Sequence, residues 1–593
     1  MMIHCDIFIA GGGLGGIAAA ISALKTGNSV IISDQNKWLG GQISSQGVSA
    51  LDEHKLMNSF GGTKTYYEFR DRIKEYYRKN FTIKDQFKNN GFFNPGCSNQ
   101  NRRFSFEPDV GAKVLKEMLQ DYDKDMNLRI FLNTKVSHLK VLDDIIDRVY
   151  LQDLISDKIR EIQPSYVIDA TELGELLPLA GIPYRTGIES FSETHEPSAP
   201  QKSNPLATQS FCFPFAVEYC SDENHIIEKP VLYENIKKEK KFSFNGKRFF
   251  EPGSKDCSFW TYRLILDSDN FNDKSMRNDV SLFNCSSMDY NDDTIIDKCD
   301  KHIAKHLFRA KQLSLCFLYW IQTEAERQDG KKGYPELKLR YDLMGTTDGL
   351  SQYPYIRESR RMSSIDIIKE QDIVSNFNSG SRARLFNDSI GIGWYMYIDI
   401  HWCCNSKLRN GSGLAVLPFQ IPLSSIIGDK IKNFISAAKN IGTTHITNGV
   451  YRLHPVEWNI GDSAGLLAAY SLKNNCRPYD IYYDKELLRD FQLYLLINGI
   501  ALYWFIDIPL DDKYFIPVQY LAMEGIIRGN SEHLYFYPDK NLLNATANNW
   551  LKQLKLRFRV NKDQFIHIKN SSHKYTRGEF ALELFNILKE KKD

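Results

Sequence analysis

Residues 5–42, CDIFIAGGGLGGIAAAISALKTGNSVIISDQNKWLGGQ, constrain the fold of this chain more than any other stretch. The apolar run at 5–10 suits a buried parallel strand. Gly11, Gly13 and Gly16 then complete G-x-G-x-x-G at the mouth of an alanine-rich helix whose first turn holds Leu14 and Gly15. In that setting the first glycine permits a tight turn, the second lets a pyrophosphate reach the backbone, and the third lets helix and strand pack closely. The start of the helix offers phosphate its free N–H groups and the positive end of its dipole. NSVIIS reads as a second strand, and Asp34 at its end, with Gln35 beside it, stands where an acid binds ribose hydroxyls. The glycine spacing alone is common. Strand, turn, helix, strand and terminal acid in that order within 34 residues predict a dinucleotide site, without separating NAD from FAD.

The next segment, KWLGGQISSQGVSALDE (37–53), resembles the FAD-dependent oxidoreductase family that shares the glutathione-reductase-like flavin fold. Matching segments follow in order: RRFSFEPDVGAKVLKEML (102–119), YVIDATELGELLPLAGIPYRTG (166–187), YIRESRRM (355–362), YIDIHW (397–402), NIGTTHITNGVYRLHPVEWNIGDSAGLLAAYSL (440–472) and DIPLDDKYFIPVQYLAMEGIIRG (507–529). The resemblance implies FAD as cofactor. It places Gly40, Gly41, Gln42 and Ser44 in a loop along the flavin, and Val136, Ala170, Thr171, Asn440, Gly461, Asp462, Ala464 and Gly465 in the remaining cofactor contacts. Two departures stand out: Asp34 replaces the usual glutamate, and Glu172–Leu173 follow Asp169-Ala170-Thr171 where the family usually has a glycine. Read from the residues themselves, WNIGDSAGLLAAYSL puts glycines 461 and 465 around a helix start that could face the flavin pyrimidine. The middle of the sequence has neither a second G-x-G-x-x-G nor a Cys-x4-Cys pair, which disfavours a two-dinucleotide disulfide reductase.

The expected architecture is α/β. A Rossmann-like FAD-binding domain, 1–190 and 430–475, carries a polar, solvated helical excursion at 56–99. It is interleaved with a mixed α+β substrate domain at 191–429, and a helical C-terminal region covers 476–593. DSDNFNDKSMRNDVSLFNCSSMDYNDD (267–293) reads as a long surface loop or lid. At 42% apolar and 25% charged residues, the chain can bury a sizeable core. Its 75 basic and 73 acidic residues give a net charge of +2, and hence no electrostatic reason to expect nucleic acid or an anionic membrane. Apolar stretches such as LCFLYWI are too short to span a bilayer. No secretion signal is visible, and the eleven cysteines form no CxxC pair, which together suit a reducing cytoplasmic setting. The expected partner is a small-molecule substrate, and a homodimer is allowed.

Oxidation of a C–H or C–N bond by FAD needs a proton acceptor, a carbon held over flavin N5 and an anchor for the rest of the substrate. His401, at the end of MYIDIHW, and His454, in YRLHPVEW, are the candidate bases, with His445 a third. Arg452 is the preferred anion clamp over Arg357, Arg360 and Arg361, which can equally pair with neighbouring acids. Tyr395 and Tyr397 share one strand face, where plain packing is the default. Cys403 and Cys404 read as buried thiols. Cys299, His302 and His306 have helical spacing compatible with metal ligands but lack a closed donor set, so no metal is expected. The predicted function is an FAD-dependent dehydrogenase or oxidase that passes substrate hydride to flavin N5 and is reoxidised by oxygen or another acceptor. The alternatives are a flavin monooxygenase or reductase fed by an external reductant and, from another class, a non-catalytic FAD-binding protein.

Overall fold

The computed structural model describes residues 2–88, 93–96, 103–250, 258–272, 278–558 and 574–589. Parts of the segments 56–99, 102–119, 267–293 and 476–593 singled out above lie outside these residues. The N-terminal reading is realised directly. Strand β1 (Ile3–Ala10) leads through the glycine turn into helix α1 (Leu14–Lys25), and β2 (Val30–Ser33) returns beside β1 in parallel. Helix α2 (Lys64–Asn80) and helix α3 (Pro108–Tyr122) precede β3 (Leu128–Phe131), β4 (Thr134–Leu142), β5 (Ile145–Asp153) and β6 (Ile159–Asp169). The last strand of this seven-stranded sheet, β7 (Phe434–Ser436), comes from far along the sequence.

Strand β6 organises the sheet because its two halves take different neighbours. Its first residues pair antiparallel with β5, which pairs antiparallel with β4 on its other side. Its last residues lie between β1 and β7, both parallel to it. The register aligns Ala10 with Ser33 and with Asp169, and Asp169 with Ser436. Four carboxyl ends therefore finish at one edge. The loops leaving them, at residues 11–13, 34–36, 170–172 and 437–439, stand side by side, the usual ligand position in an open α/β sheet.

Helix α4 (His445–Tyr451) and helix α5 (His454–Asn474) follow β7. Helix α5 lies against α1 with almost no side chain between them. A Cβ on Gly461 would stand 2.1 Å from the Gly15 carbonyl oxygen, and one on Gly465 would stand 2.3 Å from that of Ala19. Asp462 accepts hydrogen bonds from Ser22 Oγ on α1 at 2.7 Å and from Thr65 Oγ1 on α2 at 2.5 Å, and Ala464 is buried in the same layer. This corrects the expectation that Gly461, Asp462, Ala464 and Gly465 surround a helix start facing the flavin: they lie two turns or more inside α5 and serve helix packing. The start signal that mattered is Pro455, whose missing N–H and fixed φ suit a first helical turn.

Two further expectations change. Helix α2 is not a solvated excursion. Tyr66, Phe69, Ile73 and Tyr77 form a buried stripe at helical spacing beneath its charged residues, and Phe69 stacks on Trp458 of α5 at 5.3 Å. The segment 267–293 is more than a lid, because Val280–Phe283 is an inner strand buried throughout its length. That strand lies between Phe215–Tyr219 and Leu264–Leu266 in a four-stranded antiparallel sheet completed by Leu337–Leu339. The long helix Asp300–Thr323 covers this sheet, sharing a core with Phe215 and Phe283. The C-terminal helices, including Lys485–Ile497, Phe515–Met523 and Arg577–Lys589, share the main core with α1 and α5. No helix among the described residues is long and apolar enough to cross a membrane.

The contact between α1 and α5 has a testable energetic consequence. Gly461→Ala forces a methyl group onto a backbone carbonyl and is expected to cost about 1–3 kcal/mol, read as a lower thermal midpoint. An unchanged midpoint would show that the helices can separate freely.

Candidate active site

The loops at the carboxyl edge of the large sheet enclose a cleft. Gly11, Gly13, Asp34 and Gln35 line it from the first two strand ends, Gly41 from the W-L-G-G-Q loop, Val136 from β4, and Ala170 and Thr171 from β6. Gly11 has φ +92°, and a Cβ there would meet the Ala170 carbonyl oxygen at 2.3 Å, so only glycine fits this turn. Leu14, Gly15 and Gly16 form the first turn of α1, whose N–H groups have no carbonyl partner within the helix. Asp34 is tied into this turn: Oδ2 accepts the Gly12 N–H at 2.7 Å, and Oδ1 accepts the backbone and side-chain N–H groups of Asn36 at 2.7 and 2.9 Å. Burial raises the Asp34 carboxyl to about 6, against the lowering effect of those bonds. A carboxylate offers about four acceptor sites, so one remains for a ribose hydroxyl. The nucleotide end of the cleft thus fits the adenosine diphosphate part of FAD.

Other predicted contacts are engaged in holding the protein together. Asn440 spends its amide across the strand ends, donating to the Asp169 carbonyl oxygen at 3.0 Å and accepting the Ala438 N–H at 3.1 Å. Gly40 donates its N–H to the Gly12 carbonyl oxygen at 2.7 Å, and Ser44 Oγ donates to the Leu39 carbonyl oxygen at 2.5 Å. Gly40 and Ser44 fix the flavin loop against the glycine turn, and Asn440 ties the ends of β6 and β7 together. Gln42 faces inward and donates from Nε2 to Glu457 Oε2 at 2.7 Å and to the Arg452 carbonyl oxygen at 3.0 Å.

Arg452 joins this loop to a second cavity of about 370 Å³. Its guanidinium donates to Tyr355 Oη at 3.2 Å and to Asp399 Oδ2 at 2.9 Å. Tyr355 and Asp399 line the cavity with Asp52, Arg103, Arg263, Arg357 and His401. His401 is partly exposed and bonds through Nδ1 to Asp289 Oδ2 at 2.7 Å, with Nε2 3.7 Å from Asp399 Oδ1. Arg357 pairs with the other Asp289 oxygen at 2.9 Å. Burial opposes the Asp289 charge, but Arg357 and His401 hold its carboxyl well below the usual carboxylate range. Asp52 is treated alike by Arg103 and Arg263, which share it. Tyr395 and Tyr397, 5.1 Å apart between ring centroids, both line the cavity; Tyr395 packs into the main core as expected, while Tyr397 is exposed.

The second candidate base, His454, is corrected. It is wholly buried, with Nδ1 accepting the Asp52 N–H at 3.1 Å and Nε2 donating to the Val48 carbonyl oxygen at 3.1 Å. Burial pushes it down to about 4, so it stays neutral and braces the 48–52 loop. Arg360 pairs with Asp297, and Arg361 with Glu189 and Glu358, away from the cavity. Elsewhere, Asp293 rather than Cys299 joins His302 and His306, with donor atoms within 4.8 Å of one another. Sequence reading missed Asp52, Arg103, Arg263, Asp289 and Asp399. Arg263 in FWTYRLIL and Asp399 in MYIDIHW show as charges inside apolar runs, whereas Arg103 and Asp289 lie in polar stretches that give no such signal.

The FAD dependent oxidoreductase family model matches residues 6–492, and the chain belongs to that family, with FAD as its cofactor. No curated relative matches the chain. Among solved structures, the chain is similar to p-nitrophenol 4-monooxygenase from Pseudomonas putida DLL-E4 at 10% identity, over 100% of this chain and 98% of that one, with a TM-score of 0.34. It is similar to L-proline dehydrogenase from P. horikoshii at 16% identity, over 32% of this chain and 24% of that one, with a TM-score of 0.17. For L-amino acid deaminase from Proteus vulgaris the values are 14%, 37%, 54% and 0.23. The chain thus spans about a quarter of the length of the dehydrogenase and about half that of the deaminase.

One buried cluster beside the site sets a pH limit on stability. His445 Nδ1 lies 3.0 Å from both oxygens of Glu358, and Nε2 lies 3.7 Å from Cys403 Sγ. Burial opposes the imidazolium charge, yet Glu358 and Cys403 outweigh it and raise His445 to about 10, against an ordinary 6.5. The resulting stabilisation is complete below about pH 6.5 and is lost as pH rises through about 10. His445→Gln should therefore destabilise the protein at pH 6 and flatten the decline in denaturant midpoint between pH 7 and 10. An equally steep decline in the variant would place the titrating group elsewhere.

Proposed function

We propose that this member of the FAD-dependent oxidoreductase family is a dehydrogenase or oxidase acting on a small or medium organic substrate that carries an anionic group. The observation that carries this reading is the 370 Å³ cavity joined to the flavin loop through Arg452. Arg103, Lys247, Arg263 and Arg357 line it against two carboxylates, Asp52 and Asp399. Guanidinium groups in fixed geometry match carboxylate or phosphate, and Tyr262, Tyr395 and Tyr397 supply flat apolar surface beside them.

His401 is the proton acceptor in this reading. With Asp289 accepting from Nδ1, Nε2 is the nitrogen that takes a proton from a substrate hydroxyl or amine. Asp289 then stabilises the imidazolium, and Arg357 keeps Asp289 ionised for that task. Arg452 and Tyr355 fix the boundary between cavity and flavin loop, so that the substrate is held beside the cofactor rather than free in solvent. FAD, when bound, supplies the hydride acceptor at N5. Reoxidation by oxygen or another external acceptor completes the cycle.

The test is anaerobic bleaching of the flavin visible band by carboxylate-bearing amines and alcohols. His401→Gln should keep the oxidised flavin spectrum and slow bleaching about 10²–10⁴-fold. Bleaching by NAD(P)H alone would overturn the dehydrogenase reading in favour of an externally reduced monooxygenase or reductase. A His401→Gln rate equal to wild type would remove this histidine from the chemistry.

A further inference from the structure

Glu172 stands at the departure already noted in the sequence, after Asp169-Ala170-Thr171, and its side chain turns into the cleft. Its Oε1 lies 2.7 Å from where a Cβ on Gly13 would stand and 2.7 Å from the same point on Gly41. Gly13 is the residue that caps the start of α1, without a side-chain cap, and Gly41 opens the short turn of the flavin loop. The carboxylate therefore sits between the two bare backbone positions, at a helix start whose N–H groups and dipole favour an anion. A diphosphate would use the same seat.

The surroundings bear this out. Glu172 Oε2 bonds to Lys439 Nζ, and Lys439 also pairs with Glu457 Oε2 at 3.1 Å. Two carboxylates share one ammonium, and Lys439 and Glu457 are at most 1% exposed. Glu172 Oε1, Glu457 Oε1 and Gln42 Oε1 are buried with no hydrogen-bond partner among the described residues, and Glu457 Oε1 lies 3.7 Å from the Gly13 Cβ point. Unpaired buried carboxylate oxygens are costly, and Lys439 is the cation that the two carboxylates share. Asp34 and Glu175 line the same cleft and outnumber its one lysine, the exposed Lys135, so the balance of charge there is negative. A diphosphate placed beside Glu172 meets like-charge repulsion.

We propose that Glu172 is an internal competitor for the diphosphate seat of FAD, and that Lys439 is the shared counter-ion that passes from Glu172 to the diphosphate when the cofactor binds. Glu172 is in this sense a positioning residue for cofactor loading, independent of which substrate is oxidised.

The experiment titrates deflavinated full-length protein with FAD, ADP and adenosine, read by flavin fluorescence and calorimetry, with thermal melting as a check of folding. Glu172→Gly and the near-isosteric Glu172→Gln should each tighten FAD and ADP about tenfold or more, leaving adenosine unchanged. Lys439→Met should weaken FAD and ADP relative to wild type. FAD and ADP affinities at or below wild type in folded Glu172→Gln protein would overturn the proposal. So would an equal gain for adenosine, which would locate the effect in general opening of the cleft rather than in the diphosphate seat.

Discussion

The close approach of α1 and α5 is the constraint on which the rest of the structure depends. Glycine at 461 and 465 lets one helix rest on the backbone of the other, and Asp462 locks the pair to α2 through Ser22 and Thr65. This contact fixes the height of β7 beside β6 and carries Lys439, Arg452 and Glu457 to the mouth of the glycine turn. The large sheet supplies the nucleotide edge. Helix α5 supplies the inner wall and, at its start, the junction with the second cavity.

The two chambers have different electrostatic characters. In the cleft, acids predominate: Asp34, Glu172 and Glu175 line it with one exposed lysine, Lys135, and behind them Glu172 and Glu457 share the buried ammonium of Lys439. In the adjoining cavity, arginines predominate and each acid serves more than one partner. Asp52 is shared by Arg103 and Arg263, and Asp289 by Arg357 and His401. Burial makes each unpaired charge costly, so the pairings are coupled and removal of one partner burdens the others. Arg452 belongs to both chambers, giving its carbonyl to Gln42 and its guanidinium to Tyr355 and Asp399.

The N-terminal strand, turn, helix and acid were legible because each is local: the spacing of Gly11, Gly13 and Gly16 and the position of Asp34 are decided within one βαβ unit. Gly461 and Gly465 were visible as glycines, but whether they face a cofactor or a helix depends on residues that come more than 400 positions earlier, which no local pattern encodes. His401 and His454 looked equivalent in sequence. Their surroundings separate them, since His454 has both nitrogens on backbone groups and His401 reaches a carboxylate in an open cavity. The buried stripe of α2 was masked by its charges, and the periodicity of Tyr66, Phe69, Ile73 and Tyr77 was the better guide.

The bond between Ser22 and Asp462 closes a loop of 440 residues. During synthesis the glycine turn, β1 and α1 emerge first, yet the inner wall of their cleft is not made until α5 has left the ribosome. Closing a loop carries an entropy cost that grows slowly with its length. An N-terminal fragment has the phosphate-facing turn but neither Lys439 nor the helix that seats it, so the cleft lacks its inner wall until residues 454–474 have been made.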